Sequence, residues 1–205
     1  MVDGIAERLE KIQKNYAKFE SLAKKCGGTR QEAIGRLLDH YGQRFAMAPA
    51  ASRAEHHSCF PGGLVHHSLK VFRIALKLVD VLGYDIPIES LSVCALFHDF
   101  GKVGTKDEDR YLEQTSQWHR EHGMLYTTNP KVMFTHAQQS VFNLMEFGIA
   151  LDNNEAASIY YHDGQYVEEN RNFRMKDTPL SLVIHHADMH AVVQEKEEER
   201  ANATK

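Results

Sequence analysis

Apolar residues recur at helical spacing along most of the chain, so nearly every element it predicts is an α-helix. From Ile5 to about Lys25, the residues Leu9, Ile12, Tyr16, Phe19 and Leu22 form a stripe between lysines and glutamates, and Gly27-Gly28 ends it. Thr29, with Glu32 three residues on, reads as a capping box opening a second helix. Residues 47–63 form a loop rich in Ala, His and Gly. A third helix spans Leu64 to Leu82 before Gly83, and a fourth spans Ile88 to Phe100. Between Val103 and Met133 the periodicity vanishes while Gly, Asp, Thr and aromatic residues gather around Tyr111, Trp118 and Tyr126. This stretch reads as a long irregular excursion with room for a short hairpin, and such loops in compact domains tend to be functional. Helices return over 136–147, over 152–162 with a D-x-x-E start at Asp152, and from Thr178-Pro179 onward. Residues 195–205 are charge-rich and expected to fray.

Composition narrows the class. A chain of 205 residues with 42% apolar and 25% charged residues has ordinary globular usage and enough length for one sizeable core. The formal charge of −4 provides no overall basic field, so avid binding to duplex nucleic acid is not expected, which leaves room for a small anion held in a local pocket. The three cysteines, Cys26, Cys59 and Cys94, are an odd number without a CxxC spacing, which points to a reducing compartment rather than a disulfide framework. No apolar run reaches the ~18 residues of a membrane span and no signal-peptide core is present, so a cytoplasmic protein is expected. The anomaly is thirteen histidines spread along the chain.

Several of these histidines fall where burial makes them chemically telling. His98-Asp99 follows the almost wholly apolar run Leu91–Phe97. A carboxylate there needs a cation, a set of donors or a metal ion, because burying it unpaired costs several kcal/mol. The plain alternative is a helix end where His98 caps carbonyls and Asp99 pairs with Lys102. On the third helix His67 shares its face with Val71, Ile74 and Leu78, whereas His66 shares its face with Lys70, Arg73 and Lys77. His67 is therefore the buried one, as a metal ligand or as a core histidine with its hydrogen bonds met. His136 starts one helix, His162 ends another, and Asp188 lies among Ile184, Ala191 and Val192. Four imidazoles and two carboxylates from five segments suit one or two borderline divalent ions such as Mn, Fe, Co, Ni or Zn better than Ca or Mg alone.

The ordered series His67, His98-Asp99, His136, His162, Asp188 resembles the HD-domain superfamily of metal-dependent phosphohydrolases. Gly62-Gly63-Leu64-Val65-His66-His67-Ser68-Leu69 is similar to the G-G-L-x-x-H-[ST]-L opening of HD domains, and His98-Asp99-Phe100-Gly101-Lys102 to their H-D-[IFL]-G-K signature. The resemblance covers 62 to about 193. It implies an all-α HD-domain helical bundle at 62–193, preceded by helices over 1–46 that pack on or extend the core and followed by a charged tail at 194–205. The apolar stripe of the first helices suits pairing with a second subunit equally well.

From the two-metal members, the resemblance implies that His67, His98, Asp99 and Asp188 hold one ion and that Asp99 bridges to a second held by His136 and His162. The metals, Mn, Fe, Co, Ni, Zn or Mg, would then share a hydroxide that attacks phosphorus, with Asp99 and Lys102 as the catalytic side chains. His136 and His162 also fit a one-metal site with substrate-binding imidazoles, and Lys102 also fits an exposed helix-end charge. The activity implied is hydrolysis of a phosphate ester in a nucleotide or short oligonucleotide, and the GGL opening is similar to a bacterial 3′–5′ exoribonuclease subgroup. Two other readings stand beside it: a di-iron oxygenase of the same fold, and a metal- or nucleotide-binding module without turnover. An R-x-x-R-W signature found in some HD nucleotidases is absent.

The remaining polar groups are less directed. His119 and His122 have an HxxH spacing beside Trp118, but in an aperiodic stretch that favours surface or substrate-facing roles. His56, His57 and Cys59 read as part of a loop. His185 is a candidate to support the cavity from one turn away from Asp188, and Asp163 is either a helix stop or a pocket carboxylate. Arg110, Arg120, Arg171 and Arg174 are candidates to reach an anionic substrate.

Overall fold

A computed structural model of the chain describes residues 2–165 and 167–203, with side chains over 4–165 and 167–201. Its helices are α1 (Val2–Cys26), α2 (Gln31–Met47), α3 (Gly63–Leu82), α4 (Ile88–Phe97), α5 (Gln117–Glu121), α6 (His136–Glu146), α7 (Asn153–Tyr160) and α8 (Pro179–Ala203). The excursion between α4 and α6 holds the strands β1 (Tyr111–Glu113) and β2 (Tyr126–Thr128). The fold is therefore all-α with one short hairpin, whose antiparallel register pairs Tyr111 with Thr128 and Glu113 with Tyr126. The amides of Leu125 and Tyr126 both donate to the Ser52 carbonyl at 3.1 Å, which ties the hairpin to the loop before α3.

Local chemistry accounts for most boundaries. Thr135 with Gln138 and Asp152 with Glu155 form reciprocal capping boxes that start α6 and α7. Thr178 Oγ1 accepts from the Ser181 amide at 3.2 Å and Pro179 takes the first helical position of α8. Thr29 does not cap α2. A 3₁₀ turn over Gly28–Arg30 leads into the helix instead, and the backbone carbonyls of Gly27 and Gly28 accept the amides of Arg30 and Gln31. The fourth helix also stops earlier than its apolar run predicts: α4 ends at Phe97, and Phe100–Val103 winds more tightly as a 3₁₀ turn. The charged end expected to fray is instead the continuation of α8 to Ala203, with Glu195 only 2% exposed.

The core joins α1 and α2 to the segment carrying His98 and Asp99. Phe19 packs edge-on against Phe45 and Phe97 with ring centroids 4.9 and 5.2 Å apart, and Phe100 meets Tyr41 and Phe45 at 5.0 and 4.9 Å. These aromatic contacts fix the backbone on both sides of the His-Asp pair. On its other side Gly101 lies against the start of α6, where an added Cβ would collide with the His136 carbonyl and the Ser140 amide. Gly101→Ala is therefore expected to force α6 outward and lower the unfolding free energy by about 1–3 kcal/mol. An unchanged urea midpoint would show that the close approach of α6 is not enforced.

Candidate metal centre

Five separate segments converge on the carboxylate of Asp99. His67 comes from the second turn of α3, His98 and Asp99 from the residues just past α4, and His136 from the first position of α6. His162 lies two residues past α7, which ends at Tyr160 rather than at His162 as its sequence suggests, and Asp188 projects from α8. His67, His98 and Asp99 are at most 1% exposed. All six predicted groups are brought together.

The two oxygens of Asp99 face different partners. Oδ2 lies 3.6 Å from His67 Nε2 and 3.5 Å from His98 Nε2, and those nitrogens are 3.3 Å apart. Asp188 Oδ1 completes this nest at 2.9 Å from His67 Nε2 and 3.9 Å from His98 Nε2. Oδ1 of Asp99 lies 3.5 Å from His136 Nε2 and 3.4 Å from His162 Nε2, again with the two nitrogens 3.3 Å apart. Donor atoms around one ion with ~2.1 Å bonds stand about 3.0–3.4 Å from each other, so most of these spacings are close to those of coordinating atoms.

The hydrogen bonds behind the imidazoles point their Nε2 atoms inward. His98 Nδ1 donates to the Ala95 carbonyl at 3.0 Å, and His162 Nδ1 to the Ile159 carbonyl at 2.7 Å. With Nδ1 carrying the proton, each neutral ring presents a lone pair at Nε2. His98 Nε2 faces His67 Nε2 and His162 Nε2 faces His136 Nε2, each at 3.3 Å, and such a pair needs a proton or a cation between its nitrogens. Asp99 adds a direct indication: Lys102 Nζ contacts its Oδ2 at 2.6 Å, while its buried Oδ1 has no hydrogen-bond partner among the described residues. The pairing with Lys102 and the carbonyl cap by His98, the plain alternative for this dipeptide, are both present. They leave Oδ1 with only the imidazoles of His136 and His162 near it, and a divalent cation fits these residues in charge and donor type.

Electrostatics matches the geometry. Burial alone would lower the His67 pKa, but hydrogen bonds to Asp188 and Glu195 push it up to about 10. Burial is likewise outweighed at His162, where Asp99 and Asp163 raise the value to about 9. At His98 burial outweighs the opposing pull of Asp99 and lowers the value. The charges of Lys102 and His98 hold Asp99 well below the usual carboxylate range against the opposing effect of burial.

Other candidates separate cleanly. Asp163 is a pocket carboxylate 3.2 Å from His136 Nε2, and despite partial burial that contact holds its pKa near about 2. His185 Nδ1 donates to the His162 carbonyl at 2.7 Å and so braces the turn that carries His162. His119 and His122 stay on the hairpin, where they bond Ser116 Oγ and the Trp118 carbonyl. Arg110 is a structural brace: its guanidinium donates to the carbonyls of Gly101 and Phe134 at 2.9 and 2.5 Å. Arg120 donates to the Gln114 carbonyl and Arg171 pairs with Glu168, both away from the six groups.

Glu195 is the residue that sequence reasoning missed. Both its oxygens lie 3.3 Å from His67 Nδ1. Its only sequence signal was its place seven residues, or two helical turns, after Asp188.

Comparison with known proteins agrees with this geometry. The HD-domain family profile matches residues 64–192, and the chain belongs to that family, whose members bind divalent metals. The chain is also 34% identical over 73 residues to the 3'-5' exoribonuclease YhaM of Bacillus pumilus. That stretch covers 36% of this chain and 22% of the relative, so the alignment spans about a fifth of that protein's length. No solved structure matches.

The raised values at His67 and His162 mean that protons occupy Nε2 of both rings when no metal does, and a metal must displace them. Metal uptake at neutral pH is therefore expected to release about two protons, with affinity rising as pH approaches the value of about 9 at His162. Calorimetry in buffers of different ionisation enthalpy reads this directly, and buffer-independent heats would contradict it.

Proposed function

We propose that this chain is a phosphohydrolase whose metal centre is formed by His67, His98, Asp99, His136, His162 and Asp188, and that it cleaves a phosphate ester of a nucleotide or short oligonucleotide. The observation that carries the reading is the buried Asp99 carboxylate, one oxygen paired with Lys102 and the other facing the Nε2 atoms of His136 and His162 at 3.5 and 3.4 Å. In that reading His67, His98, Asp99 and Asp188 would hold one divalent ion, and Asp99, His136 and His162 a second. Bound there, such ions supply Lewis acidity toward phosphoryl oxygens and make a water acidic enough to serve as a nucleophile near neutral pH.

The side chains around the nests have complementary work. Lys102 keeps an ammonium beside the Asp99 carboxylate, and burial that would lower its pKa is outweighed by Asp99, so it stays charged. That charge offsets the negative charge gathering on phosphoryl oxygens as the ester bond breaks. A cavity of about 250 Å³ opens at Lys102 and is also lined by Arg44, Tyr111 and Tyr126. Tyr111 and Tyr126 in its lining supply aromatic surface for stacking a base. A second cavity, of about 260 Å³, opens at His136 and Asp163 and is also lined by Gln138, Tyr160, Glu169 and Asn170. Its amides, hydroxyl and carboxylates suit sugar hydroxyls or an incoming water rather than a phosphate. A larger cavity of about 500 Å³ between α1 and Phe60 contains none of the six groups and plays no part in the reading. The similarity to an exoribonuclease over 73 residues supports a phosphate ester as substrate.

A panel of nucleotides and phosphodiesters assayed with Mn, Co, Ni, Mg and Fe tests the proposal. Phosphate-ester cleavage is expected with at least one metal and none after chelation, and Asp99→Ala is expected to abolish it. Full turnover by Asp99→Ala, or dioxygen consumption by an iron-loaded protein in place of ester cleavage, would refute it. Lys102→Met is expected to retain metal and lose about 100-fold in kcat. A Lys102→Met enzyme with undiminished kcat would remove the lysine from the mechanism.

A further inference from the structure

We infer that Glu195 is the positioning residue of this centre, holding the His67 ring through Nδ1 so that the nest of His67, His98, Asp99 and Asp188 binds its ion more tightly than the nest of Asp99, His136 and His162. The inference rests on the metal reading above and concerns what stands behind the ligands. Glu195 is 2% exposed, and both carboxylate oxygens lie 3.3 Å from His67 Nδ1. Asp188 and Glu195 stand two turns apart on one face of α8, about 10.5 Å along the axis, and the His67 ring lies between them. Asp188 Oδ1 is 2.9 Å from Nε2 and Glu195 meets Nδ1. One helix thus supplies a group at the metal-facing edge of His67 and the group at its back.

The other imidazoles are supported differently. His98 and His162 donate from Nδ1 to the neutral carbonyls of Ala95 and Ile159. Among these three rings only His67 has a full negative charge behind it. A carboxylate at Nδ1 fixes the ring's orientation and raises the basicity of Nε2, which strengthens the bond to a cation.

Glu195 is itself held in place. Ser58 Oγ donates to its Oε2 at 2.9 Å, and the Ser58 amide donates to Glu199 Oε1 at 2.8 Å. Ser58 is only 1% exposed and adopts φ +51, a conformation unfavourable for a residue with a Cβ. The surroundings over-determine that strained backbone, as is common beside functional groups. The loop before α3, α3 itself and α8 are therefore joined through one carboxylate.

The test is a titration of the full-length protein with Co2+ against a competing chelator, following absorbance. Wild type is expected to bind two ions with distinct affinities. Glu195→Gln, which keeps an acceptor oxygen without its charge, should weaken the tighter site about 10-fold, and Glu195→Ala should weaken it about 100-fold. The weaker site should stay unchanged in both. Ser58→Ala should move the tighter site in the same direction by less. A purely structural role would instead weaken both sites together, and circular dichroism of Glu195→Gln checks that the fold is intact.

A wild-type chain that binds no Co2+ removes the metal reading itself. Two-site binding with Glu195→Gln unchanged, or weakened equally at both sites, removes only the role of Glu195. A third equivalent of Co2+ lost with Glu195 would make that carboxylate a ligand and overturn the positioning role.

Discussion

The structure turns on one buried carboxylate. Asp99 is 1% exposed, and isolating a charge from water costs several kcal/mol unless other groups compensate. Lys102 answers one oxygen at 2.6 Å. Around the other, imidazoles approach to 3.4 and 3.5 Å without a hydrogen bond that satisfies it. The compensation within the chain comes from Lys102 and from imidazoles that Asp99 holds protonated against their own burial, an arrangement costly as mere architecture and well suited to replacement of those protons by cations.

The rest of the fold holds that carboxylate still. Phe97 and Phe100 flank the His-Asp pair and lock into rings from α1 and α2, so the N-terminal helices stabilise the segment that the centre needs. Glu155 caps its own helix and also pairs with Arg30 at 2.9 Å, linking the α1–α2 connection to α7 just before His162. From the other side α8 runs along α3 and brings Asp188 to His67. Precise placement of ligands from distant parts of a chain requires that kind of rigid support.

Much of this was legible in the sequence, for physical reasons. Long helices with strong stripes, and the capping box at Asp152, can be read because they depend on local spacing. The inward direction of His67 followed from helix phase alone, and it is fully buried. Boundaries set by backbone geometry were harder: the 3₁₀ turn over Gly28–Arg30 does with carbonyls what Thr29 was expected to do, and α4 and α7 end before the histidines assigned to them. Glu195 was obscured by its composition. In a run of charged residues nothing local distinguishes the one glutamate that α3 and the Ser58 loop will bury. Arg110 was misleading in the opposite sense, since a cation in a loop reads as a substrate contact until its carbonyl partners are known.

Anomalous diffraction from crystals of the metal-soaked protein tests the central claim most directly. The account predicts two peaks, one among His67, His98, Asp99 and Asp188 and one among Asp99, His136 and His162, with the Asp99 carboxylate between them. Peaks confined to the hairpin histidines His119 and His122, or none near Asp99, would contradict it.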